Sequence, residues 1–377
     1  MIYLDNGATS FPKPREVVEA VADAMVNYCA NPGRGGHDMA MRTAKEIYRT
    51  RISVAELFNI ENPARIVFTK NCTEGINIAL KGVLKEGDHV ITSSMEHNSV
   101  IRPLHALRKK GIRTTIIRCD REGCLNSEDL RRAVKPNTKM IVLTAASNVT
   151  GTKMPIEEIG RLALRKGIIF MVDGAQGAGH MEIDVRKANI DILAAPGHKG
   201  LMGPQGTGFL YVREGIDISP VFEGGTGSKS KETKQPLDFP DGFEAGTVNA
   251  PGIIGLGAAV SMINKIGVDV IAEHERRLTE KLQNAVEKLP QVKIYGPADT
   301  HRKTGVLAIN IYGLDCEEAA LTLNDKFHIA VRSGFHCSPM AHKTLGTENI
   351  GCVRICPGFY TSDTEIMKTI AALEKII

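Results

Sequence analysis

Tryptophan is absent from this sequence, and aromatic residues make up only 5% of it. The missing indole by itself excludes nothing. Other absences exclude more. No apolar run approaches the ~18 residues of a spanning helix, so no membrane association is expected. The first residues, MIYLDNGATSFPKP, lack a basic region followed by an apolar run, so no export signal is expected. Charge of one sign is scarce in excess: the net charge is +4, with 47 basic residues spread along the chain. No basic block is interleaved with aromatics, which argues against nucleic acid as a partner. No internal repeat or low-complexity tract occurs. No C-x-x-C pair occurs, and the cysteine and histidine spacings match no zinc pattern, so no metal is expected. Eight irregularly spaced cysteines without an export signal read as reduced thiols in the cytoplasm.

The 377 residues, 42% of them hydrophobic and 24% charged, suffice for two domains with a large core. Short apolar stretches alternate with helical patterns: 64–69, 88–94, 113–120, 139–147, 168–175 and 190–197 read as strands. This predicts an α/β fold, a mainly parallel sheet between helices. Long helical patterns follow Gly252. Beyond them, short strands and helices predict a smaller α+β domain. The expected division is a large domain over 15–255 and a small one over 256–377, joined by the N-terminal segment 1–14.

Ligands of open α/β sheets sit beyond the carboxyl ends of the strands, and four of these ends carry chemistry. After 64–69, Cys72 and Thr73 open a helix whose free N–H groups suit a phosphate; an ordinary cap by Thr73 is the alternative. After 88–94 stands His97, fit to stack on an aromatic ligand or to move protons, or simply a structural histidine. Asp173, at the end of an apolar strand, needs a partner such as a protonated ring nitrogen. His198 and Lys199 follow 190–197, and a lysine partly desolvated there can attach covalently to a carbonyl. An attachable lysine, a buried acid and a helix N-terminus together are what pyridoxal 5'-phosphate requires.

The chain resembles fold-type I enzymes of the class V aminotransferase group, and within it the short-loop cysteine desulfurases. The resemblance rests on YLDNGATS (3–10), NPGRGGH (31–37), NCTEGIN (71–77), MEHNSV (95–100), SNVTG (147–151), VDGAQ (172–176), PGHKGLMGPQGTG (196–208), FEAGTVN (243–249), RSGFHC (332–337) and VRICPGFYTSDTE (353–365), in the family's order. It implies a homodimer, L-cysteine as substrate, a protein sulfur acceptor, and sulfur transfer for iron–sulfur clusters or other sulfur-containing cofactors. It implies that Lys199 holds the cofactor, that His97 stacks on its ring, that Asp173 binds the ring nitrogen and that Gln176 binds the phenolic oxygen. Cys72, Thr73 and His198 would complete the cofactor site, with Thr247 reaching the phosphate of the partner subunit. Asn148, Arg354, Arg332 and His37 would bind substrate, and Cys337 would accept the sulfur.

One position departs from the pattern. Where similar members carry a hydroxyl residue three places before the lysine, this chain has Pro196, which offers no donor. Cys337 is flanked by glycine and proline, which predicts an exposed loop, and the nearby Arg332 and His336 are expected to favour its thiolate. Only 17 positions separate Cys337 from Arg354, so the loop is short and suits an acceptor that docks at the site. On a strand, Cys352, Arg354 and Cys356 would share a face; the two thiols are expected to pack there. The competing activities are selenocysteine lyase, transamination of another small amino acid, and a non-catalytic sulfur carrier.

Overall fold

The structure is a computed structural model that describes residues 1–33 and 35–376; Arg34, inside the NPGRGGH motif, lies outside them. The strands are β1 (Ile2–Tyr3), β2 (Ile66–Thr69), β3 (His89–Ser93), β4 (Arg113–Ile117), β5 (Thr138–Thr144), β6 (Ile169–Asp173), β7 (Ile192–Pro196), β8 (Gly208–Val212), β9 (Val292–Tyr295), β10 (Leu307–Ile311), β11 (Ile329–Ala330) and β12 (Val353–Ile355). Seven form one sheet in the order β2-β8-β7-β6-β5-β3-β4. Neighbours pair in parallel except at β8, which runs against both β2 and β7. The sheet is therefore mainly parallel, as the alternation of strands and helices predicted. The reversed strand, Gly208–Val212, was not legible as one, because it follows β7 through a glycine-rich turn with no crossover helix.

Both faces of the sheet are buried, and the period of two is visible along single strands. Met140 and Val142 of β5 join Ile76, Leu80, Val100 and Leu104 of the helices Cys72–Val83 and Asn98–Leu107. Ile141 and Leu143 join the opposite layer, with Val54 and Phe58 of the helix Asp38–Phe58, Ile159 of Ile156–Lys166, and Leu256 and Val260 of Ala250–Ile266.

A second apolar cluster surrounds the antiparallel sheet β12-β10-β9. It contains Leu307, Ile309, Val353 and Ile355, with Leu278 and Leu282 from the helix Val268–Val286 and Leu373 from the last helix. Leu4 joins this cluster, and β1 pairs in parallel with β11. The N-terminal segment thus lies along the C-terminal part of the chain. The helices Ala250–Ile266 and Val268–Val286 meet at Gly267 with an 82° bend. No single helix among the described residues is long and apolar enough to cross a membrane.

Candidate active site

Asp173 ends β6 and Pro196 ends β7, so Asp173 and the His198-Lys199 pair lie together at the carboxyl ends of two neighbouring central strands. Asp173 is 1% exposed. Its Oδ1 accepts the Ala175 N–H at 2.9 Å and the Cys72 thiol at 3.3 Å. Burial and this carboxylate push the Cys72 thiol well above its usual range, so it is a neutral donor. The helix Cys72–Val83 is thereby anchored by its first residue. Its N-cap is Asn71, whose Oδ1 accepts the Glu74 N–H at 2.9 Å. Thr73 is therefore not the cap that the sequence suggested: the extended residue before the helix is Asn71, and Thr73 already lies in the first turn. The Thr73 hydroxyl bonds instead to Ser99 Oγ at 2.7 Å, and Ser99 Oγ lies 2.8 Å from His97 Nδ1. Ser99, which the sequence reading passed over, joins two expected cofactor residues.

Lys199 is half-buried, and its ammonium is held below the usual lysine range. Burial is the main cause and the Arg354 guanidinium the second; Asp173 opposes both. His198 is pushed down to about 4, first by burial and then by the cations Lys199 and Lys13. Its Nδ1 is buried without a hydrogen-bond partner. Its backbone carbonyl, by contrast, collects the Lys13 ammonium at 2.9 Å and the hydroxyls of Thr9 and Ser10 at 3.1 and 3.2 Å. The YLDNGATS segment thus fixes the peptide that carries Lys199. It also fixes Gln176, whose Nε2 donates to the Gly7 carbonyl at 2.8 Å.

Arg354 lies on β12, is 3% exposed, and donates to the Asn148 carbonyl at 2.8 Å and to Asp5 at 3.0 Å. Its Nε is buried without a partner. A side chain on Gly7 would come within 2.9 Å of Cys356 Sγ and 3.2 Å of Arg354 Cζ, so the guanidinium needs glycine there. Arg332 is exposed and exchanges backbone hydrogen bonds with Arg354 across an antiparallel bridge.

Cys337 is exposed, as expected of a loop nucleophile. Its carbonyl accepts the Asn98 N–H at 2.9 Å, which brings the thiol's loop to the residue after His97. His336 and Cys337 adopt φ of 46° and 57°. Two consecutive non-glycine residues in this region are strained, and the surrounding contacts must hold them. His336 does not supply the cation that the sequence reading gave it. It is buried, its pKa is pushed down to about 3 by burial and the Arg354 charge, and its Nε2 contacts the Cys352 carbonyl at 3.1 Å. Cys352 and Cys356 are each 1% exposed, with thiols pushed up by burial, in keeping with packing.

Thr247 and His37 are not among the residues so joined. Both are exposed. Thr247 lines a separate cleft with Gly206, Glu244 and Val248, and His37 Nδ1 accepts the Ala40 N–H at 3.4 Å as the N-cap of Asp38–Phe58.

The residues present fit pyridoxal phosphate. A buried acid, a lysine of depressed pKa, a helix N-terminus beside two hydroxyls, and an unpartnered nitrogen on His198 gather at the carboxyl ends of central strands, with the charge of Arg354 of β12, whose Nε is unpartnered, acting on the lysine. The family model for aminotransferase class V matches residues 2–368. The chain belongs to the class V aminotransferase family. A probable cysteine desulfurase of Methanothermobacter thermautotrophicus is 38% identical over 100% of this chain and 94% of its own length. A cysteine desulfurase of Serratia proteamaculans is 32% identical over 100% and 93%. Among solved structures, the apo cysteine desulfurase of Thermococcus onnurineus superposes with a TM-score of 0.93 at 35% identity, covering 100% of this chain and 94% of that one. Membership accounts for the order in which the motifs occur along the whole chain.

Proposed function

We propose that this class V enzyme is a pyridoxal-phosphate-dependent cysteine desulfurase that converts L-cysteine to L-alanine and transfers the sulfur to Cys337. One observation carries the reading: an exposed cysteine on a strained loop accepts, through its backbone carbonyl, the N–H of the residue after His97. The similarity to proteins named cysteine desulfurase supports it.

When bound, pyridoxal phosphate supplies an electron-withdrawing ring that stabilises negative charge at the substrate Cα. Lys199 would hold it covalently, with Asp173 at the ring nitrogen, Gln176 at the phenolic oxygen, His97 over the ring, and Cys72, Thr73 and His198 completing the site. With proline at 196, the hydroxyls at the helix N-terminus are those of Thr73 and Ser99. Lys199, its ammonium already destabilised by burial, is suited to take the Cα proton. The Arg354 fork, with its free Nε, is suited to the substrate carboxylate, with Arg332 on the backbone bridged to it. Asn148 and His37 complete the substrate residues of this reading. His97, lowered by burial, is poised to move a proton at the sulfur or the ring.

The Cys337 thiolate then attacks the substrate sulfur. The S–S bond forms as the substrate C–S bond breaks, and that bond's electrons stay on the carbon fragment, which takes up protons and leaves as alanine. The persulfide is passed to an acceptor thiol.

The proposal includes a homodimer in which Thr247 reaches the partner's cofactor, a docking sulfur-acceptor protein, and a cytoplasmic setting; the eight free cysteines support the last. It also includes a large domain over 15–255 and a small domain over 256–377 with residues 1–14, supported by the separate apolar cluster around β10 and β12. The test is product analysis with L-cysteine, with and without a reductant. Wild type is expected to yield alanine and a persulfide on Cys337, and Cys337→Ala to lose both while keeping the cofactor on Lys199. Full turnover by that variant would overturn the assignment. Alanine released from selenocysteine by Cys337→Ala, with none released from cysteine by wild type, would instead identify a selenocysteine lyase.

A further inference from the structure

Beside the Cys337 loop the fold gathers a set of donors that the reaction does not use. His336, His342 and Cys352 are buried, and one donor atom from each lies within 4.8 Å of the other two. His342 Nδ1 is held by the Thr347 hydroxyl at 2.7 Å, while its Nε2 is buried with no partner. His336 Nε2 is held by the Cys352 carbonyl at 3.1 Å, while its Nδ1 is buried with no partner. Cys352 Sγ lies 3.5 Å from His336 Nε2. Buried imidazole nitrogens are normally paired, so two orphans in one cluster require an explanation. In the His342 ring one nitrogen is fixed by an oxygen and the other is left bare, while in His336 it is Nε2, shared with the Cys352 carbonyl, that lies beside the thiol. Metal-binding histidines are oriented as the His342 ring is.

We propose that His336, His342 and Cys352 form a buried site for a transition-metal ion of the zinc class. Two imidazoles and a thiolate suit zinc and exclude the oxygen-seeking magnesium and calcium ions. Three protein donors leave one coordination position open. Cys352 binds as the thiolate and releases its proton to solvent. The sequence concealed this site because the spacing of the three residues follows no pattern; the turn into Pro339–Leu345 and the return to β12 bring them together. The ion would tie His336, the residue before Cys337, to the strand that carries Arg354. A second cluster, Asp120, Glu122 and Cys124, is not comparable: the Arg302 guanidinium already occupies it, 3.2 Å from Glu122 and 2.9 Å from Cys124.

The test is metal binding by the holoenzyme, independent of any reaction. Protein is equilibrated with Zn2+ alone and dialysed, and the bound zinc per chain is counted. One tightly held ion is expected in wild type, Cys337→Ser and Cys124→Ser. It is expected to be lost in Cys352→Ala and His342→Ala. Thr347→Val removes no ligand but frees the His342 ring, and should weaken binding about tenfold, so the inference stays testable if a ligand variant misfolds. No retained zinc in wild type overturns the proposal. So does zinc that is lost in Cys337→Ser or Cys124→Ser, or that is indifferent to both Cys352→Ala and Thr347→Val.

Discussion

The side-chain amide of Asn148 donates to the backbone carbonyl of His336 at 2.6 Å, and its oxygen accepts the Ser338 hydroxyl at 2.7 Å. The two partners flank Cys337. The sequence reading placed Asn148 on the substrate carboxylate, yet in this structure both polar ends of its side chain serve the loop. Its backbone carbonyl serves Arg354. Asn148 therefore links the sulfur acceptor to the carboxylate-binding arginine.

Asn148→Ala is expected to release the loop. Left-handed backbone at His336 and Cys337 costs roughly 1–3 kcal/mol per residue and persists only while neighbours impose it. Misplacing a reacting thiol by about 1 Å can cost about 10²-fold in rate. The expected result is a kcat lower by about that factor, with less persulfide on Cys337 by mass spectrometry after one turnover. The folded protein should still attach its cofactor at Lys199. An unchanged kcat would show that the clamp does not position the thiol.

Arg354→Lys is expected to raise KM for L-cysteine by about 10²-fold or more. The guanidinium holds the Asn148 carbonyl and Asp5 with its two terminal nitrogens and keeps Nε free. A lysine ammonium offers no planar fork and cannot reproduce that arrangement. A carboxylate-free thiol substrate, cysteamine, should lose its disadvantage relative to cysteine in this variant. Steady-state kinetics with the two substrates check this.

Much of the layout was legible in the sequence, because in a doubly covered sheet strand ends are also site positions. The apolar runs ending at Asp173 and Pro196 gave β6 and β7 to within two residues at each end, and with them the acid and the lysine. The N-terminal contribution was not legible. Asp5, Gly7, Ser10 and Lys13 act on Arg354, Gln176 and His198 across more than 160 positions of chain, and local pattern carries no trace of such a contact. Asp38–Phe58 was missed for another reason. Its glycine-rich approach reads as turn and masked a segment whose Ala, Met, Arg, Glu and Leu residues favour a helix, which packs against Ala250–Ile266. The role given to His336 failed because burial, which decides a histidine's charge, cannot be read from neighbours in sequence.

Glu96→Gln is expected to make the protein more stable at alkaline pH. Glu96 is fully buried, with Oε1 bonded to the Ser93 hydroxyl and the Thr144 N–H. Burial, reinforced by the Asp173 charge, pushes its carboxyl up to about 8. The folded state therefore keeps a proton that the unfolded chain gives up at the ordinary glutamate value of 4.5. Stability is lost as pH rises between those two values, and the loss is complete above about 8. Glutamine mimics the protonated form. The variant should match wild type near pH 4.5 and exceed it by a few kcal/mol, roughly, at pH 9. Denaturant unfolding at the two pH values checks the sign; a gain confined to acid pH would reverse the argument.

Glu244→Ala is expected to destabilise the fold by about 3–5 kcal/mol. Glu244 sits in the FEAGTVN motif, and its carboxylate holds the buried Arg51 at 2.6 Å and the Phe68 N–H at 2.6 Å. Arg51 also donates to the Ile66 carbonyl and lies over the Phe68 ring. Removing the carboxylate strands a guanidinium whose side chain is 5% exposed and leaves a β2 amide without an acceptor. Glu244→Gln keeps the shape and one acceptor oxygen but removes the charge and turns an amide N–H toward the second donor, so it should recover only part of the loss. The comparison, read by denaturant unfolding at fixed protein concentration, separates charge pairing from packing. If Glu244→Gln costs almost nothing, the Arg51 charge is not what Glu244 neutralises, and the link from the Thr247 segment to the edge of the sheet is held by shape alone.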